Sequence, residues 1–263
     1  GDSADSGSGN AITGTVVTAG STSVQPLSEE LAAVFMDENP GITIEVQGGG
    51  SGQGIKASQE KIADFGALSR EVKEEEKAAV AQEYVIAKDG VAVIVNRDSK
   101  VEELTLEQIK KIYTGEITNW KEAGGADASI VVVSREEGSG TRGAFTEITK
   151  VAGKNEAGVE VDNTTKNSLV QGSTGAVMQT VATTPNTIGY VSLGSLSDTV
   201  KAVKVEGVAP AEETVLSGEY KISRPFLYVA GGEPSEAAKL FIDFILGEEG
   251  QKIVEESGFV PVK

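Results

Sequence analysis

Two kinds of segment alternate along this chain: short apolar runs with strand character and longer runs with helical periodicity. The strand-like runs are residues 13–18, 42–47, 63–68, 85–96, 130–134, 188–191 and 225–230. The helical runs are residues 26–38, a short segment from 52, 71–83, 105–115, a segment from 139, 168–183 and 235–257, the last with a break expected at Gly247. This alternation predicts an α/β fold with mainly parallel sheets flanked by helices.

The middle of the chain contains no Pro/Ser-rich linker that would separate two domains. If the chain forms two domains, it must cross between them through strands, which would act as a hinge. We expect residues 11–90 and 219–263 to form domain I and residues 91–218 to form an inserted domain II. Residues 1–10 are small and polar and predict a flexible tail, either a tether left by a removed leader segment or simply a disordered end.

Composition excludes several classes of function. The formal net charge is -17, from 40 acidic and 23 basic residues, which disfavours nucleic acid and anionic membranes as partners. The chain has no His and no Cys, so Ser-His-Asp and Cys-His catalysis are excluded and most zinc sites are too. No apolar run approaches the roughly 20 residues that span a bilayer. We therefore expect neither an enzyme nor a metal or cofactor.

Three segments share one design, in which an apolar strand is followed by glycine and hydroxylated residues and then by a helix. They are residues 19–23 (AGSTS), 48–52 (GGGSG) and 138–142 (GSGTR). A helix N-terminus exposes unpaired N–H groups, glycine lets the backbone approach a ligand, and Ser and Thr add donors, so each loop suits an oxyanion. Ser and Thr in such places are also ordinary helix caps. Because ligands of open α/β sheets bind at the carboxyl ends of strands, the three loops together favour an oxyanion.

Arg135 stands just before the third loop and can give an oxyanion a bidentate, charge-assisted contact. Glu137 is expected to hold it in place, although a plain surface ion pair is the alternative. Gly138, Gly140 and Gly143 also satisfy the G-x-G-x-x-G pattern, but that fingerprint normally opens the first βα unit of a dinucleotide-binding domain. A small enclosed oxyanion is the better interpretation. A further strand, ending in Ser69-Arg70, either adds to the site or forms an exposed turn.

Together these segments resemble the phosphate-binding proteins of Pst-type ABC importers. The resemblance covers nearly the whole chain after the tail. Its most specific parts are R-x-x-G-S-G-T at residues 135–141 and the loop at Ser51, with support from residues 112–120 and 188–190. It implies a clamshell of two α/β domains that closes on inorganic phosphate in a cleft between them, without catalysis. It also implies extracytoplasmic residence, a lipid anchor through a removed N-terminal segment, a membrane ABC permease as partner, and a monomer.

Carried over position by position, the resemblance implies seven phosphate ligands. Thr22 and Ser23 match the first loop and Ser51 the second, whereas Arg135, Ser139, Gly140 and Thr141 match the third. Arg135 would neutralise charge and the others would donate hydrogen bonds. Ser69 and Arg70 complete the expected site, with Arg70 as a second positive contact.

One position departs from the family pattern. Well-known long members carry an Asp that accepts the proton of the phosphate, and here Ser69 stands in that place, where its hydroxyl can also accept a proton. Asp64 lies upstream and is not the substitute. A carboxylate repels fully deprotonated sulfate and a hydroxyl does not, so the alternative ligands are sulfate, molybdate or tungstate. Two rivals of other classes are a secreted hydrolase and an adhesion module whose loops are only caps.

Overall fold

The computed structural model describes residues 12–263, so the predicted tail, residues 1–10, lies outside the described residues. The described chain divides into two compact units. Unit 1 contains residues 12–88, Pro225–Ser257 and Pro261–Lys263, and unit 2 contains Asp89–Arg224 and Gly258–Val260. The sequence-based boundaries lay two residues later at the first crossing and six residues earlier at the second.

The strands of the described chain are β1 (Gly14–Gly20), β2 (Ile42–Gln47), β3 (Phe65–Leu68), β4 (Gln82–Val95), β5 (Glu103–Leu104), β6 (Val131–Arg135), β7 (Ala152–Lys154), β8 (Glu160–Asp162), β9 (Leu169–Gln171), β10 (Thr187–Ser192), β11 (Lys201–Ala202), β12 (Lys204–Val205) and β13 (Ser223–Ala230). Its α-helices are α1 (Gln25–Glu38), α2 (Ser51–Gln59), α3 (Leu106–Thr114), α4 (Gly140–Thr149), α5 (Thr174–Thr183), α6 (Glu212–Ser217), α7 (Glu236–Leu246) and α8 (Glu248–Glu256). Short 3-10 helices cover Glu74–Ala79, Trp120–Ala123 and Leu193–Ser195.

In unit 1 the sheet order is β2-β1-β3-β13-β4. β1 pairs in parallel with both β2 and β3, whereas β13 joins β3 antiparallel. Aromatic side chains pack together in the core, with the rings of Phe35 and Phe241 5.1 Å apart and those of Phe65 and Tyr228 5.3 Å apart. Because β1, β2 and β3 run in one direction, the loops that follow them lie at the same edge of the sheet.

In unit 2 the sheet order is β4-β10-β6-β9, and β11 also pairs with β4. β6 is parallel to β10 and β9, and β4 is antiparallel to β10. Tyr113, Phe145 and Tyr190 form an aromatic stack in the core, with Phe145 and Tyr190 parallel at 4.0 Å. The α/β class is therefore confirmed, with parallel pairing among the strands that lead into the candidate loops and antiparallel pairing where β4 and β13 join.

The predicted ends of the helical run over residues 105–115 are confirmed, because both ends carry local capping residues. Thr105 accepts a hydrogen bond from the Gln108 amide at 3.0 Å, and the Gln108 side chain accepts one from the Thr105 amide at 2.9 Å. This capping box opens α3, which ends at Gly115 with a φ of 88°. The expected break at Gly247 is also present, since it separates α7 from α8.

Two predicted helices were wrong. Residues 71–83 form only the 3-10 helix Glu74–Ala79, and β4 begins at Gln82. That 3-10 helix buries none of its residues, so it has no apolar face that would stabilise a longer helix. Residues 168–183 contain the short strand β9 before α5, because Leu169–Gln171 pair with β6 and Gly172-Ser173 then start the helix.

Candidate functional site

In the first loop, after β1, the residue that forms the turn is not one of the predicted binding residues. Ser21 is buried, and its hydroxyl accepts hydrogen bonds from the amides of Ser23 at 3.1 Å and Val24 at 3.4 Å. Ser21 therefore provides the turn that leads into α1. Thr22 is exposed and Ser23 is half-buried, and neither hydroxyl is needed for this turn. A side chain at Gly20 would approach the carbonyl oxygen of Ala67 to 2.2 Å, so only glycine allows β1 and β3 to lie this close.

The second loop is joined to the end of β3 by two serines. Gly49 and Gly50 have φ angles of 141° and 95°, which place Ser51 at the first position of α2. The Ser51 hydroxyl accepts a hydrogen bond from the Ser69 amide at 3.2 Å and lies 3.5 Å from the Ser69 hydroxyl. The Ser51 oxygen is an acceptor in the amide contact, and either serine can donate in the contact between the two hydroxyls, so this pair has a hydroxyl proton that is not used by the backbone. Two of the predicted ligands of unit 1 thus lie side by side.

Arg70 is bound to a carboxylate in unit 1. Its two terminal nitrogens donate to Glu76 at 2.8 and 3.0 Å, and one also donates to the Glu71 carbonyl at 3.0 Å. The hydrogen bond from Arg70 holds the pKa of Glu76 below its usual range. The pairing gives Arg70 a structural role in the turn after β3. A contact between Arg70 and an anion stays a prediction.

Three carboxylates beside these loops already accept hydrogen bonds from the protein. Asp64 accepts one from the Val17 amide at 2.8 Å and thereby fastens the start of β3 to β1. Glu76 accepts from Arg70, and Glu136 accepts from the Nε atom of Arg135 at 2.9 Å. Each carboxylate therefore holds the protein chain in place. Ser69 stays the predicted partner for a proton carried by the ligand.

The third loop presents the N-terminus of α4 in unit 2. Ser139 is buried, and its hydroxyl caps the helix by accepting a hydrogen bond from the Arg142 amide at 3.1 Å. Gly140 and Thr141 are the first two residues of α4, where backbone N–H groups have no partner within the helix. Those N–H groups, the Thr141 hydroxyl and the positive end of the helix dipole suit an oxyanion.

Arg135 ends β6 next to this helix, and its side chain is only 12% exposed. Its Nε and Nη2 atoms donate to Glu136 at 2.9 and 3.4 Å, its Nη1 atom donates to the Thr174 hydroxyl at 3.4 Å, and its amide donates to the Tyr190 hydroxyl at 3.3 Å. The expected partner Glu137 was wrong, because Glu137 is exposed and the adjacent Glu136 carries the contact. The hydrogen bond from Arg135 lowers the pKa of Glu136.

Sequence reasoning missed three residues of this region: Arg142, Thr174 and Tyr190. Arg142 donates to the Arg135 carbonyl and pairs with Asp162 at 2.9 Å, so it fixes the backbone of the third loop. Burial raises the pKa of Tyr190 to about 12, which keeps its hydroxyl protonated. A signal for Thr174 existed in Gly172-Ser173-Thr174, a fourth loop between a strand and a helix, but the predicted helix over residues 168–183 concealed it.

The fold and these loops define a class of protein, the binding proteins built on two α/β units. The family model described as the PBP superfamily domain matches residues 5–249 of the chain.

Two relatives of known name identify the family within this class. The chain is 36% identical over 253 residues to the phosphate-binding protein PstS of Bacillus subtilis, covering 95% of this chain and 81% of that protein. It is 32% identical to the PstS of Borreliella burgdorferi, covering 93% of this chain and 88% of that protein. The chain therefore belongs to the PstS family of phosphate-binding proteins.

Solved structures agree with this assignment. An ABC-type phosphate transport receptor from Vibrio cholerae is 34% identical with a TM-score of 0.84, covering 94% of this chain and 99% of that one. A substrate-binding protein of a putative phosphate ABC transporter from Clostridium perfringens, solved with bound phosphate, is 47% identical with a TM-score of 0.64, covering 95% of this chain and 100% of that one.

Proposed function

We propose that this chain captures one inorganic phosphate ion outside the cytoplasm and delivers it to a membrane ABC permease. The observation that carries the proposal is the geometry around Arg135, whose guanidinium is fixed by Glu136 and Thr174 beside the open N-terminus of α4. A guanidinium and a helix N-terminus together supply positive charge and directed donors to one oxyanion. PstS relatives and a related structure with bound phosphate support the identity of the ion.

The proposal also covers residence, anchoring and assembly. We place the protein at the cell surface or in the periplasm, as a monomer with a lipid-anchored N-terminus that binds its ligand without catalysis. In the described residues 12–263, no helix has the length and apolar character that would let it cross a membrane.

The acidic net charge of -17 is compatible with anion capture. A dehydrated anion is held by short-range donors in a cleft of low polarity, where each contact is strong. Surface carboxylates farther away than about 8–10 Å are screened at physiological ionic strength. The net charge therefore slows encounter with phosphate but does not prevent tight binding.

Calorimetric titration of the phosphate-stripped protein tests the function. We expect one phosphate ion per chain and a dissociation constant in the micromolar range or below. The same titration should be repeated with Ser51→Ala in unit 1 and with Thr141→Ala in unit 2. If donors of both units bind the same ion, each variant should weaken binding while the stoichiometry stays at one. If neither phosphate nor another tetrahedral oxyanion gives a heat of binding, the proposal is wrong.

Selectivity against sulfate should respond to Ser69→Asp. A carboxylate at this position can accept the proton of phosphate but repels an anion that has no proton. We therefore expect the variant to bind sulfate at least about tenfold more weakly, with a smaller effect on phosphate. Ser69→Asn is the matched control, because it has a similar size and no charge. Unchanged binding of both anions by the Asp variant would mean that residue 69 does not face the ligand, and equal losses would mean that it does not distinguish the two anions by their proton.

A further inference from the structure

The fourth loop, Gly172-Ser173-Thr174, lies beside the third loop because of the sheet register. β6 and β9 are neighbouring parallel strands in which Arg135 stands opposite Gln171. Parallel neighbours in register end at the same edge, so the residues that follow Gln171 face those that follow Arg135. Ser173 caps α5 by accepting a hydrogen bond from the Ala176 amide at 3.1 Å, which places Thr174 at the first position of the helix.

Arg135 is held at both ends of its guanidinium. Glu136 binds the Nε and Nη2 atoms on one side, and the half-buried hydroxyl of Thr174 accepts from Nη1 at 3.4 Å. An arginine has five N–H donors, so these contacts leave one N–H on each terminal nitrogen. That pair of donors matches the spacing of two oxygens of a tetrahedral anion.

We propose that Thr174 is a positioning residue for phosphate binding, acting through Arg135. This inference rests on the proposed function. The Glu136 side chain is 44% exposed, so it alone would hold a long side chain loosely. The Thr174 hydroxyl stands on the first turn of a ten-residue helix and gives the guanidinium a rigid second support. Arg135 is then oriented before the ligand arrives, and less conformational entropy is lost on binding.

The matched pair Thr174→Val and Thr174→Ser tests the idea. Valine has nearly the same shape without the hydroxyl, whereas serine keeps the hydroxyl. We expect Thr174→Val to weaken phosphate binding about three- to tenfold, the range of one ordinary lost hydrogen bond. The phosphate affinity of Thr174→Ser should stay within about twofold of that of the parent. Thr183→Val removes an exposed hydroxyl at the far end of the same helix and should leave affinity unchanged.

A second parent protein, the variant Arg135→Lys, distinguishes an effect of Thr174 on the position of Arg135 from a general effect on folding. The substitution Arg135→Lys keeps the positive charge but removes the guanidinium fork that Thr174 supports. In this background Thr174→Val should cost little further affinity, because the two changes act on one contact. Thermal melting of the apo proteins checks that Thr174→Val folds normally. Equal losses in both backgrounds, or no loss in the parent, would overturn the inference, whereas a parent chain that binds no phosphate would instead contradict the proposed function.

Discussion

Arg135→Ala should lower phosphate affinity by about a hundredfold or more, corresponding to about 3 kcal/mol of binding free energy. The side chain is 12% exposed, so its charge acts where water screens little. Its loss would leave the anion with hydrogen-bond donors but without a neutralising charge, and Glu136 would lose its partner next to the site. Titration calorimetry of the stripped variant measures the effect.

The control is Arg97→Ala, which removes the same charge from an exposed position in unit 2. Its effect should stay within about twofold, because exposed charges are screened. Arg135→Lys should give an intermediate loss, since the charge remains and the bidentate geometry does not. If Arg135→Ala binds phosphate within about threefold of the parent, the assignment of the site is wrong.

Arg224→Met should lower the free energy of unfolding by about 3–5 kcal/mol. Arg224 and Asp89 are buried, with side chains 8% and 10% exposed, and Nε of Arg224 lies 3.4 Å from Oδ2 of Asp89. Burial raises the pKa of Asp89, while the charge and hydrogen bond of Arg224 act to lower it. Without Arg224, the buried carboxylate loses this compensation. Denaturant unfolding of the apo protein provides the measurement.

The loss of unfolding free energy caused by Arg224→Met should depend on pH in a defined direction. A carboxyl group whose pKa is higher in the folded state binds its proton more tightly when folded, so stability falls as pH rises from the unfolded value through the folded value. Loss of Arg224 raises the folded pKa of Asp89 further. The deficit should therefore be small in acid and grow towards neutral pH.

Glu147→Gln is the matched control for the same arginine. Glu147 binds Nη1 of Arg224 at 2.9 Å, but its side chain is 60% exposed, so this change should cost less than about 1 kcal/mol. The double variant Asp89→Asn, Arg224→Met should recover much of the loss, because no buried charge remains. A deficit that is independent of pH, or equal for Glu147→Gln, would show that the buried carboxylate is not its cause.

The sequence predicted best where a signal is local. The capping box at Thr105, the stop at Gly115 and the cap at Ser139 each depend on residues within a few positions of one another. The strands that precede the three loops were also readable, because their apolar runs are bounded by glycine and hydroxylated residues. These signals were enough to predict the α/β class and the candidate loops.

Features that depend on contacts between residues far apart in the sequence were not predicted. Residues 169–171 form a strand only because β6 offers an edge, so their helix-like context was misleading. Whether Glu136 or Glu137 pairs with Arg135 depends on the direction in which the loop turns, which periodicity does not encode. Thr174 meets Arg135 only through the pairing of two strands that are far apart in sequence.

The chain has no histidine, and this absence combines with the contacts around Arg135 to give the site a constant charge. Burial raises the pKa of Tyr190 to about 12, and the hydrogen bond from Arg135 lowers the pKa of Glu136. None of these groups exchanges a proton as the surroundings move from mildly acidic to neutral. A fall in pH would therefore change binding through the phosphate ion, which changes its own protonation in solution, while these protein groups do not.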